Sequence, residues 1–123
     1  MGRVFENDVI LLDIEDDIII AKYKCSEINL EVAKKAIEFR LKVQKGRKIK
    51  ILLYADNIKS VSANARAYLV GPMSYEGLLC GAFVLDSRIK TALGNVYIKY
   101  GSIPVPTKLF RTKEKALEWL SQY

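Results

Sequence analysis

The stretch "DNIKSVSANAR", residues 56–66, gathers a carboxylate, an ammonium, two hydroxyls, two amides and a guanidinium directly after the apolar run "ILLYA". Several chemistries suit such a set. Asp56 closes what reads as a central strand, and ligands of open α/β sheets collect at the carboxyl ends of strands. A phosphate on Ser60 or Ser62 would face free N–H groups and the positive end of a helix dipole. Arg66, one turn into the following helix, would hold an anion together with Lys59. The simplest role is structural: Ser62, or Ser60 in its place, accepts from the first unpaired N–H groups and caps that helix. We read the stretch as a helix cap.

Other reactive chemistry is largely excluded. The chain has no histidine, so Ser-His-Asp and Cys-His catalysis and histidine-ligated metals are ruled out. Cys25 and Cys80 lie 55 positions apart, which fits no zinc or redox motif, and reduced, buried thiols are expected. Cys80 sits within the apolar run "LLCGAFVL", a setting that disfavours the thiolate. The acidic group Asp13, Glu15, Asp16 and Asp17 lacks the glycine and the distant glutamate of a calcium loop, so it reads as a solvated turn. "GNVYIKYG" has neither the spacing nor the preceding strand of a phosphate loop. The expectation is a protein that is not an enzyme, with no catalytic residue, no cofactor and no metal.

The elements that position these residues follow from the apolar pattern. "DVILLDI" and "DIIIAKYK", joined by "EDD", read as an N-terminal β-hairpin. "NLEVAKKAIEFRLKVQKG" reads as a helix capped by Asn29 and ended by Gly46, its apolar face running through Leu30, Ala33, Ile37 and Leu41. "KIKILLYA" follows as a strand buried on both faces. A helix through Ala65, Tyr68 and Leu69 stops at Gly71-Pro72. "LLCGAFVL" is another buried strand, followed by a helix through Ile89, Leu93, Val96 and Tyr100. "PVPTKLF" is a short edge strand, and Thr112 caps a final helix with Ala116, Leu117 and Leu120 inward beside Trp119. The order β-β-α-β-α-β-α-β-α predicts an α/β fold: one domain over residues 1–123, a mostly parallel sheet with the hairpin at one end and helices packed on it.

Net charge is +6, unevenly spread: residues 1–33 hold three Lys/Arg against eight Asp/Glu, the rest seventeen against six. The run Lys34, Lys35, Arg40, Lys42, Lys45, Arg47, Lys48 and Lys50 would place cations along one edge of the first helix. Nucleic-acid readers add exposed aromatics, and the run holds only Phe39, at core spacing. A nucleic-acid role is therefore not expected. No stretch approaches the roughly 18–20 apolar residues of a membrane span and no signal-peptide core opens the chain, so the protein reads as cytoplasmic.

The element order, with residues 47–123, resembles the STAS-like domains, that is, the anti-anti-sigma-factor fold and its lipid-binding CRAL-TRIO relatives. Within them it is similar to an uncharacterised bacterial group carrying a turn like "NIKSVSANAR" and a segment like "LGNVYIKYGSIPVPTKLFRTKEKALEWL". In anti-anti-sigma factors a serine at the start of the helix after the central strand is phosphorylated, which releases the partner. The family's Asp-Ser-Ser falls here on Ser62-Ala63-Asn64, so the phosphorylated position is Ala63 and the switch serine is missing. The resemblance implies a regulatory or scaffolding module that binds an unidentified protein partner or a second copy of itself. Its contact surface would be Asp56, Ser60, Ser62, Asn64 and Arg66 with Met73 and Tyr75. The second reading is a small carrier or sensor of an apolar, lipid-like ligand, with Tyr68, Tyr97 and Tyr100 lining the pocket.

Overall fold

The computed structural model describes residues 3–87, 90 and 103–123. The two isoleucine-rich runs form strands β2 (Ile10–Glu15) and β3 (Ile18–Tyr23), paired antiparallel across a tight turn in which Asp16 takes φ 55°. A strand the sequence pattern did not reveal, β1 (Arg3–Glu6), pairs antiparallel with β2 and forms one edge of the sheet. Its charged ends, Arg3 and Glu6, hide the apolar alternation and also discourage further pairing at that edge.

After the two-residue strand β4 (Glu27–Ile28), helix α1 (Leu30–Gln44) begins where the Asn29 side chain accepts from the Val32 N–H at 2.8 Å. It ends at Lys45, whose left-handed φ of 54° places its N–H on the Leu41 carbonyl. Strand β5 (Ile49–Tyr54) is flanked on both sides by parallel neighbours, as its unbroken apolar run required. Strand β6 (Ser60–Val61) pairs with β4 in a small second sheet, and α2 (Ala63–Leu69) is capped by Ser62. Pro72 does more than stop α2. It opens α3 (Pro72–Tyr75), where its missing N–H costs nothing. Strand β7 (Leu78–Val84), edge strand β8 (Thr107–Phe110) and helix α4 (Lys113–Leu120), capped by Thr112, complete the chain. The helix expected through Ile89, Leu93, Val96 and Tyr100 falls outside the described residues, Lys90 apart.

The main sheet runs β1-β2-β3-β5-β7-β8, antiparallel through its first three strands and parallel thereafter. Alternation divides its side chains between two cores. Ile19, Ala21 and Tyr23, with Ile49, Ile51 and Leu53, face α1 and α2. Leu52, Cys80, Ala82 and Val84 face Ala116 and Leu120 of α4. The two helical layers sit differently. Helix α4 lies directly on β7, β8 and β5, whereas α1 makes its close contacts with α2 and β4.

The buried stripe of α1 is Ala33, Ala36, Ile37, Arg40 and Gln44, with Leu30 and Leu41 only half-buried. This corrects the reading of Arg40 as part of a surface run: it is 2% exposed, and Lys50, 6% exposed, faces inward beside Asp17 at 3.5 Å. Gln44 donates to the carbonyls of Arg47 (2.6 Å) and Gly77 (2.9 Å). Gly77 holds φ 73°, and a β-carbon there would come within 2.2 Å of the Gln44 amide nitrogen. Left-handed backbone costs a non-glycine residue about 1–2 kcal/mol before any clash. We therefore expect Gly77→Ala to destabilise by at least about 2 kcal/mol in urea unfolding; an unchanged midpoint would contradict this packing.

Candidate functional site

Between α1, the α2–α3 corner and the inner face of β3, β5 and β7 lies a cavity of about 380 Å³. Its existence traces to small side chains where large ones would fill the space. Ala21 of β3, Ala36 of α1, Ala55 after β5 and Gly81 of β7 all line it. Ile51, Leu53, Ile58, Val61, Leu69 and Phe83 supply most of the remaining wall. Ile58 and Val61 come from the polar stretch 56–66, which thus turns its apolar residues inward while Asp56, Ser60, Ser62, Asn64 and Arg66 stay exposed.

Two buried polar groups share this wall. The Arg40 guanidinium donates through Nη1 to Gln44 Oε1 (2.5 Å) and the Glu76 carbonyl (3.3 Å), and through Nη2 to the Ser74 carbonyl (3.1 Å). Its Nε is buried with no partner among the described residues. Burial pulls its pKa down, opposed by Tyr23, Glu76 and Tyr68, yet an arginine stays charged in proteins. Among the described residues no carboxylate lies within 4.0 Å of it. Tyr23, 5% exposed, also lines the cavity. Burial, assisted by the nearby Cys25 thiol, pushes its phenol up to about 12, so it is neutral at physiological pH.

The residues picked out from sequence fall into separate places. Ser62 Oγ accepts from the Ala65 N–H at 3.3 Å and lies 2.6 Å from Asn64 Oδ1, as a working cap does. Ser60 belongs to β6, opposite Glu27. Asp56 accepts from the Asp86 N–H at 2.7 Å and borders a second cavity of about 210 Å³ with Lys22, Tyr54 and Asn57. Arg66 and Met73 are exposed. Tyr75, assigned from sequence to the outer surface, is half-buried and lines the large cavity. Tyr68 is half-buried against the core and is not among the cavity-lining residues. Tyr97 and Tyr100 lie outside the described residues. Cys80 is fully buried, and burial raises its thiol. Arg40, absent from the sequence-derived site, had one legible signal: it continues the 33-36-37-40-44 stripe of the helix core.

Tyr23 yields a pH prediction. Its folded pKa exceeds the ordinary value of 10.0, so the folded state holds the proton longer. The stability this gives is complete below pH 10 and is lost as pH rises toward 12. We expect wild type to lose on the order of 2 kcal/mol more than Tyr23→Phe between pH 9 and pH 12, read by urea unfolding at each pH. Parallel curves for the two proteins would contradict the burial argument.

Residues 12–123 match the family described as a domain of unknown function, DUF7793. Among curated proteins, none matches the chain. A solved structure of an uncharacterized protein of the DUF3478 family from Shewanella loihica PV-4, described as having a SpoIIAA-like fold, superposes with a TM-score of 0.71 at 17% identity. The match covers 97% of this chain and 99% of that one. The architecture is therefore SpoIIAA-like, the STAS-type arrangement that the element order resembled, and the chain belongs to the DUF7793 family.

Proposed function

We propose that this protein is a noncatalytic binding module that holds one small apolar molecule beneath α1, as a carrier or sensor. The observation that carries this reading is the cavity of about 380 Å³ between α1 and the sheet. Ligand sites typically span about 300–1,000 Å³, with apolar walls and a few placed polar groups. The cavity's size and predominantly apolar lining match those of a site for one small molecule. The working compartment we assign is the cytoplasm, where the free thiols of Cys25 and Cys80 stay reduced.

The second reading, a module that docks on a protein partner or a second copy, draws support from the α2–α3 corner. Val70 is 49% and Met73 47% exposed there, on the same short segment as Asn64 and Arg66. The two readings meet in one place, since Leu69, Ser74 and Tyr75 of that corner also form cavity wall. Filling the cavity would press on the residues that flank Val70 and Met73, which is how a ligand would be sensed by a partner.

Native mass spectrometry of untagged protein from its own host tests both. We expect a noncovalent small-molecule mass on wild type that disappears on denaturation, and its absence from Ala36→Leu, which puts a larger side chain into the cavity. Bare wild-type protein in every charge state would contradict the carrier reading. A dimer mass that Met73→Ser dissolves would favour the docking module instead.

A further inference from the structure

We infer that the molecule held beneath α1 is an amphiphile with a single carboxylate, of medium-chain fatty-acid type, and that Arg40 is its counter-ion. This rests on reading the cavity as a ligand site, and it adds the chemical class.

The charge balance of the wall is the first ground. Among the described lining residues the charged ones are Arg40 and the exposed Lys90, and none is an aspartate or glutamate. Arg40 is 2% exposed and its hydrogen-bond acceptors are all neutral oxygens, two from the backbone and one from Gln44. Carbonyl dipoles orient a guanidinium, but Glu76 acts on it only at a distance, and no carboxylate among the described residues lies within 4.0 Å. Its charge therefore lacks a direct counter-ion, and a buried charge without one is expensive. The Nε, without a partner among the described residues, adds an unused donor. A planar guanidinium with spare donors suits a carboxylate better than any neutral group does. The phenol of Tyr23, on the same wall, would add a neutral donor.

Volume is the second ground. A cavity of about 150 Å³ takes one benzene, so about 380 Å³ admits roughly fifteen non-hydrogen atoms at most. That is room for one short alkyl chain with its carboxylate. A two-chain phospholipid does not fit.

Titration calorimetry with sodium decanoate and with decan-1-ol tests the inference on the full chain. Wild type is expected to bind decanoate at least about tenfold more tightly than the alcohol, the margin of one charge-assisted hydrogen-bonded pair. Arg40→Met is expected to bind both within about twofold. Equal binding of acid and alcohol by wild type would overturn the carboxylate assignment while leaving the cavity as a ligand site. Binding of neither would overturn both. An acid preference that survives in folded Arg40→Met would remove Arg40 from the role. Should that variant fail to fold, the wild-type comparison decides alone.

Discussion

A guanidinium that leaves water must place its donors on acceptors, and whichever groups receive them become fixed in space. Arg40 places its donors on the carbonyls of Ser74 and Glu76, and Gln44, one turn later on α1, reaches the carbonyl of Gly77. The second half of α1 is thereby tied to the chain that leads from α3 into β7. The helix also makes close contacts with α2 and β4. Ala33 and Ala36 of α1 still pack in one core with Ile19, Ala21 and Ile49 of the sheet. The cavity lies between α1 and the sheet, next to the Arg40 contacts.

The same tie accounts for the character of the site. Arg40 enters the core as the only charged member of the buried stripe of α1, and it arrives with neutral acceptors. Hydrophobic side chains of similar volume usually stabilise at least as well as a buried charge. The buried Arg40 therefore needs a reason beyond stability, and the proposed ligand supplies one. The polar turn at 56–66 becomes the back of the cavity wall, its Ile58 and Val61 inside and its Ser62 occupied as a cap. The SpoIIAA-like fold by itself does not choose among functions, since one fold hosts many; the choice rests on the cavity and Arg40.

Much of this architecture was legible in the residues. β-branched runs located β2 and β3, continuous apolar runs located β5 and β7, the caps Asn29, Ser62 and Thr112 set helix starts, and alternating strands and helices predicted the parallel half of the sheet. What escaped notice did so for physical reasons. β4 and β6 are two residues each and exist only because they pair with one another. β1 is masked by its charged ends, and Pro72 reads equally as a stop and as a start. The cavity has no sequence signature, because it is made of what Ala21, Ala36, Ala55 and Gly81 lack. Arg40 was hidden in a basic run, where charge count outweighed the helical spacing that places it among core residues. Tyr75 faces inward only because α3 turns the chain at Pro72, a turn no periodicity announces.

The most direct measurement is a methyl-resolved NMR titration of the full chain with sodium decanoate. Occupancy of the cavity predicts shifts at the methyls of Ile51, Leu53, Ile58 and Val61, with those of Leu52 and Leu120, on the opposite face of the sheet, left unmoved. Shifts confined to Leu52 and Leu120, or to Val70 at the exposed corner with the cavity methyls silent, would contradict the account.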